Sequence, residues 1–295
     1  ANTLGAQEIS TSRQGEGIMR FLFLGDVVGR AGRNALLETL PGLRDKLKLD
    51  FVVVNGENAA GGFGITEAIL NDFLDAGADV VTLGNHAFDQ RDALVFINRH
   101  DRLIRPLNFP AGTPGRGSSV FKARNGADVL VINALGRVFM SDIDCPFRAI
   151  DNELGDCRMG RDVDAVFVDF HAEATSEKQA LGLFLDGRVS VVAGTHTHSP
   201  TADHRILPAG TGYVSDVGMC GDYNSVLGMK AEEPINRFIT RIPSARFEPA
   251  MGEATLSGLA VDIEDGSGLA RAAAPIRIGG VLSPTWPTFW DEHEA

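Results

Sequence analysis

Apolar residues along this chain gather into short strand-like runs, and several of those runs end in side chains of the types that can serve as metal ligands. FLFLGD ends in Asp26, DFVVVNGEN in Glu57 and Asn58, and DVVTLGNH in Asn85 and His86. DAVFVDFH ends in His171, and VSVVAGTHTH in His196 and His198. Between the runs lie segments with apolar residues at helical spacing: NALLETLPGLRDKL, TEAILNDFLDAGA with Thr66 as its N-cap, RDALVFINRH, and SEKQALGLFLDG. DVLVINAL adds a further strand. Strands alternating with helices predict βαβ units and a mostly parallel sheet.

After His198 the pattern changes. HRILPAGTGYVSD reads as short strands with turns, and RFEPAMGEATLSGLAVDIEDGSG as antiparallel β with Gly and Asp turns. Together they are expected to complete a second sheet packed on the first. The tail VLSPTWPTFWDEHEA holds both tryptophans and two prolines, so it is expected to be extended. It either packs on its own core or reaches a neighbouring subunit, which leaves a homo-oligomer open. With no repeat and no low-complexity linker, residues 19–295 read as one domain. Residues 1–18 are polar, without an apolar stretch or a cationic start, and read as an appended or upstream extension before Met19.

Composition narrows the class of function. The chain has 295 residues, 44% hydrophobic and 22% charged, as in an ordinary soluble globular protein. A net charge of −12 argues against a long nucleic-acid footprint, which needs clustered Lys and Arg. It leaves room for a small phosphate ester, because bound metals reverse the local field. Three cysteines, none in a CxxC pair, argue against a disulfide framework or a thiolate zinc site and point to reduced thiols in a cytoplasmic protein. No run approaches the roughly 18 apolar residues of a membrane span.

Ligand sites in α/β sheets form outside the C-terminal ends of the strands. Carboxylates, carboxamides and imidazoles collected there, with no thiolate, suit two hard or borderline divalent metals. Asp26 is short enough to reach a metal, although an Asp there also caps helices. Glu57, beside Asn58, is a candidate carboxylate bridge. Asn85 and His86 suit one ligand beside one general acid. His196 and His198 share a face if the backbone is extended, or splay to two metals over a turn. His100, His204 and His293 lack this setting. The Gly-rich turn AAGGFGIT either presents backbone N–H groups to phosphate or is a tight loop near the metals. Arg137 and Phe139, after another strand, are candidates for phosphate contact and base stacking.

The set GD, GEN, GNH, a lone His and GTHTH resembles the calcineurin-like metallophosphoesterase superfamily. Two departures, Val28 where that superfamily has a His and Glu57-Asn58 where it has a second Asp motif, match its bacterial branch of 2′,3′-cyclic-nucleotide 2′-phosphodiesterase-like proteins. LGDVVGRAGR, VVNGENAAGGFGIT, TLGNHAFD, DFHAEATSEK, VAGTHTH and SDVGMCGDYNSVLGM carry that similarity from Met19 almost to the C-terminus. The resemblance implies an α/β fold, a four-layer α/β/β/α sandwich of mixed sheets, with two metals, iron first and manganese or zinc as alternatives. It implies Asp26, Asn58 and His198 on one metal and Asn85, His171 and His196 on the other, with Glu57 bridging and His86 as general acid. The expected activity is hydrolysis of cyclic nucleotides, 2′,3′-cyclic and also 3′,5′-cyclic. A phosphomonoesterase or nucleotidase on the same site is one alternative, and a regulatory scaffold with little catalysis is the other.

Overall fold

The structure, a computed structural model, describes residues 17–155 and 157–290. Most of the extension expected at 1–18, and His293 in the tail, lie outside these residues. The first half of the chain runs β1 (Ile18–Leu24), α1 (Gly29–Lys46), β2 (Phe51–Asn55), α2 (Glu67–Asp75), β3 (Val80–Thr82), α3 (Ala93–Phe96) and β4 (Leu103–Ile104). Next come β5 (Ser118–Lys122), β6 (Asp128–Leu135), α4 (Pro146–Gly155), β7 (Ala165–His171), α5 (Thr175–Leu185) and β8 (Val191–Thr195). The last part holds β9 (Arg205–Ile206), β10 (Gly212–Val214), β11 (Gly221–Asp222), α6 (Glu232–Thr240), β12 (Ala254–Glu264) and β13 (Ala270–Ile278).

Two mixed sheets result. One has the order β11-β12-β1-β2-β3-β4, with β13 paired to β12, and the other the order β5-β6-β7-β8-β10-β9. The central pairs β1-β2-β3-β4 and β6-β7-β8-β10 are parallel, as the alternation of strands and helices predicts. The expectation for the C-terminal β region is half corrected. β9 and β10 do join the second sheet, but the β12–β13 hairpin pairs antiparallel with β1 and so extends the first. Alternation along a strand says which residues face inward; it carries no information on which free edge the strand will pair with.

Period-two alternation divides each central strand between two cores. In β1 and β2, Leu22, Leu24, Val52 and Val54 pack under α1 and α2, while Phe21, Phe23, Phe51 and Val53 face the second sheet. In β6 and β7, Val131 and Phe167 complete that inter-sheet core, while Ile132, Val168 and Phe170 pack under α4 and α5. Three apolar layers between four structural layers make the α/β/β/α sandwich. The cores account for the near-continuous apolar runs of the sequence, because these strands are buried on both faces. Thr66 caps α2 as predicted, its Oγ1 accepting from Ile69 N at 3.4 Å. α4 and α6 were not apparent from the sequence.

The aromatic tail, as far as Trp290, packs on its own core, and Thr288–Trp290 form a short 3-10 turn where an extended chain was expected. Trp290 is buried and its Nε1 donates to Asp262 Oδ1 at 2.6 Å. All three cysteines are free. No helix among the described residues is long and apolar enough to cross a membrane.

Candidate functional site

The ends of β1, β2 and β3 in one sheet and of β7 and β8 in the other meet across the top of the inter-sheet core. Every ligand-type residue singled out at a strand end lies there: Asp26, Glu57, Asn58, Asn85, His86, His171, His196 and His198. The site is built between two sheets, and Glu57 Oε1 of one stands 2.8 Å from His171 Nε2 of the other. Glycines precede several of these residues because the groups behind them press close. A Cβ at Gly84 would collide with the Glu57 carboxylate and the His171 ring, and one at Gly25 with the Gly218 carbonyl.

Hydrogen bonds on the outside of the site fix which atoms face its centre. Thr82 Oγ1 and Asn55 Nδ2 donate to Asp169 Oδ2 at 2.6 and 3.0 Å, and Thr195 Oγ1 donates to Asp169 Oδ1 at 2.7 Å. The Thr195 oxygen, its proton committed, accepts from His171 Nδ1 at 2.9 Å. His171 Nε2 therefore turns a lone pair inward. It meets Glu57 Oε1 at 2.8 Å, Asn85 Oδ1 at 3.0 Å and His196 Nδ1 at 3.0 Å. His196 Nε2 faces Glu173 Oε2 at 3.3 Å, which makes Nδ1 the lone-pair nitrogen of that ring too. Acceptors and lone pairs thus converge with no donor among them, and the Glu57, His171 and His196 ligand atoms all lie within 4.8 Å of one another.

A second focus lies beside the first. His198 Nδ1 donates to Leu227 O at 2.9 Å, so Nε2 faces Asn58 Oδ1 at 3.2 Å and Asp26 Oδ1 at 4.0 Å. Asn58 is oriented by its own loop, with Nδ2 donating to Gly62 O at 3.0 Å. The Gly-rich turn is thus a tight loop bearing on Asn58, with positive φ at Gly61, Gly62 and Gly64. Asp26 Oδ2 accepts from His196 N at 3.2 Å, while its buried Oδ1 has no hydrogen-bond partner among the described residues. Asp26 does not cap α1, whose N-cap is Val28.

Burial sets the protonation of the cluster. It pushes the Asp26 carboxyl up to about 7, against the pull of His171 and with help from Glu57 and Asp216, and it raises Glu57 as well. It pushes His171 and His196 down to about 3 and lowers His198. Neutral imidazoles are the ligand-competent form, and a cation held against two buried carboxylates, one with an orphaned oxygen, would make their ionisation favourable. The donor set, oxygen and nitrogen with no sulfur, fits divalent metal at both foci.

Over the cluster lies a cavity of about 540 Å³, walled by Phe63, His86, Glu173, Phe238, Arg241 and Phe247 among others. His86 stands at its edge, Nδ1 bonded to Asp89 Oδ2 at 2.8 Å and its ring edge-on to Phe63 at 5.1 Å. Its backbone N donates to Glu57 Oε2 at 3.0 Å. Arg137 and Phe139 are not brought to the cavity: Arg137 faces Asp142 at 3.5 Å and Phe139 is 90% exposed. His100 pairs with Glu67 at 2.7 Å, away from the site, and His204 does not line the cavity. The sequence reading missed Glu173 and the Asp169–Thr195 support, although both flank the histidine-bearing strand ends. It also missed the α6 wall, whose residues give no motif.

Comparison with known proteins agrees with this architecture. The family described as YmdB-like protein matches residues 22–276. The chain is 50% identical over 247 residues to the 2′,3′-cyclic-nucleotide 2′-phosphodiesterase of Bacillus subtilis strain 168, covering 84% of this chain and 92% of that protein. The crystal structure of a hypothetical protein from Thermus thermophilus superposes with a TM-score of 0.83 at 41% identity, over 89% of this chain and 100% of that one. A novel phosphatase from Mycoplasma pneumoniae gives 0.82 at 36%, over 90% and 95%.

Proposed function

The chain belongs to the YmdB-like protein family, and we propose that it is a metal-dependent phosphodiesterase acting on 2′,3′-cyclic nucleotides. The observation that carries this reading is the convergence on His171 Nε2 of Glu57 Oε1, Asn85 Oδ1 and His196 Nδ1, all within 3.0 Å and none a donor. Asn85, His171 and His196 would hold one metal, Asp26, Asn58 and His198 the other, and Glu57 would bridge them. Iron is the first expectation for both, manganese or zinc the second. When bound, such a pair supplies an activated water and a clamp on the phosphate oxygens.

The protein's own groups supply the rest. His86, held through Nδ1 by Asp89 and lining the cavity, would protonate the leaving ribose oxygen. Phe63, Phe238 and Phe247 offer an apolar wall for the nucleobase. Arg241 lines the same cavity in a left-handed backbone conformation, φ 60°, and bears a cation toward the nucleotide. The similarity to the Bacillus subtilis enzyme supports the diester and the 2′ regiochemistry. Hydrolysis of 3′,5′-cyclic nucleotides belongs to the same proposal, and the three free cysteines fit a cytoplasmic setting.

The test measures metal content together with hydrolysis of 2′,3′-cyclic AMP, 3′,5′-cyclic AMP, bis(p-nitrophenyl) phosphate and p-nitrophenyl phosphate. About two metals per chain with turnover of the 2′,3′-cyclic diester is the expected result. Turnover of the monoester alone would replace the proposal with a phosphomonoesterase. Bound metal without turnover of any of them would replace it with a scaffold.

A further inference from the structure

Lys178 and Asp216 form an ion pair 2.7 Å long, and each side chain is only 1% exposed. Neither lines the cavity. Both lie in long motifs, DFHAEATSEK and SDVGMCGDYNSVLGM, to which the sequence reading gave no chemical role beyond His171. Removing two charges from water is costly, and a hydrophobic pair of the same volume often serves a fold equally well. What this pair grips is therefore informative.

It grips the turn that carries two of the candidate ligands. β8 ends at Thr195, and then His196 takes φ 95° and His198 takes φ 61°. Two non-glycine residues in the left-handed region, with only Thr197 between them, do not persist unless their surroundings over-determine them. Lys178 Nζ donates to Thr195 O at 2.8 Å, on one side of His196. Asp216 Oδ2 accepts from Thr197 N at 3.1 Å, on the other side. Asp216 is itself anchored: Oδ1 accepts from Gly218 N at 2.8 Å, and its backbone N donates to Thr201 Oγ1 at 2.9 Å. The pair thus closes a bracket across the peptide units that flank His196.

We propose that Lys178 and Asp216 are positioning residues, which lock the left-handed turn so that His196 Nδ1 and His198 Nε2 address different foci of the site. The proposal rests on the metal-centre reading of that site. A bracket of this kind acts on metal affinity, where a plain structural strut acts on stability alone. Arg44 and Asp79 provide the comparison. They form another largely buried ion pair, 2.9 Å long with side chains 6% and 20% exposed, linking α1 to the residue before β3 and touching no candidate ligand.

The experiment titrates metal-stripped wild type, Lys178→Met, Asp216→Asn and Arg44→Met with Mn²⁺, and records Tm for each. Lys178→Met and Asp216→Asn are expected to lose about 10- to 100-fold in Mn²⁺ affinity, the range for residues that orient metal ligands. Arg44→Met is expected to lose Tm while binding Mn²⁺ within about threefold of wild type. Folded Lys178→Met and Asp216→Asn that bind Mn²⁺ like wild type would overturn the proposal, as would an equal affinity loss in Arg44→Met. Should Lys178→Met not fold, Lys178→Gln and Asp216→Asn, which keep size and polar atoms, carry the same comparison. Failure of wild type itself to bind Mn²⁺, Fe²⁺ or Zn²⁺ would instead sink the metal-centre reading, and this inference with it.

Discussion

Replacing His86 with alanine separates the chemistry of the site from its assembly. General acid catalysis is worth about 10²- to 10⁴-fold, or about 3–5 kcal/mol of barrier. The structure points to the lower half of that range. The His86 side chain is 27% exposed at the cavity edge, so water can reach the leaving oxygen once the imidazole is gone. We expect kcat for 2′,3′-cyclic AMP to fall about 10²- to 10³-fold in His86→Ala. Metal content is expected to hold. His86 supports Glu57 through its backbone N, 3.0 Å from Oε2, and that bond survives the substitution. The leaving group supplies an internal control: a ribose alkoxide needs a proton to depart, and p-nitrophenolate does not. Hydrolysis of bis(p-nitrophenyl) phosphate should therefore fall by less than about tenfold. Equal losses on both substrates, or lost metal, would refute the general-acid role.

Other expectations follow from the same geometry. Burial pushes the Asp26 carboxyl up to about 7, so more of it is protonated at pH 6 than at pH 8. A cation binds the ionised form, so metal uptake should expel more protons at pH 6 than at pH 8, and affinity should fall as pH drops through about 7. His171 and His196, pushed down to about 3, are already neutral and release none. Calorimetry in buffers of different ionisation enthalpy reads this directly, and equal proton release at both pH values would refute it. Phe238→Ala should raise KM for 2′,3′-cyclic AMP about fivefold to tenfold through lost base stacking, with kcat and Tm unchanged; an unchanged KM would remove the nucleobase from that wall. Trp290→Phe takes one donor from Asp262 and should lower Tm by about 2–4 °C, for about 1 kcal/mol, without altering kcat. An unchanged Tm would show that this hydrogen bond adds nothing to stability.

Much of this fold was legible because its strands are buried on both faces. FLFL and FVVV have no polar alternation to blur them, and each stops where a ligand-type residue begins. α6 was missed for a physical reason. Ile235, Phe238 and Ile239 are exposed at 49%, 75% and 77%, so its apolar residues do not mark a core-facing stripe. α4 is short, and only Ile150 and Leu154 of its apolar side chains besides Pro146 are buried. At the site, single residue types next to glycines marked the strand ends. The supporting groups were less visible, because Asp169 sits inside a strand where an acid reads as a break in the apolar run.

That buried acid explains how a site shared by two sheets stays assembled. Hydrophobic contact is non-directional, so the inter-sheet core of Phe21, Phe23, Phe51 and Phe167 resists separation better than it resists sliding. Asp169 belongs to β7, yet it accepts hydrogen bonds from Asn55 at the end of β2 and Thr82 at the end of β3. Those bonds are directional and lie one layer below the candidate ligands. They hold β7 in one place against β2 and β3, and His171, two residues beyond Asp169, then meets Glu57, two residues beyond Asn55, at 2.8 Å. Burial pushes Asp169 up to about 7, which opposes ionisation, while the three donors around it oppose protonation. A group in such tension is a poor choice for stability alone. It is well suited to keeping two sheets in register where their strand ends must share a site.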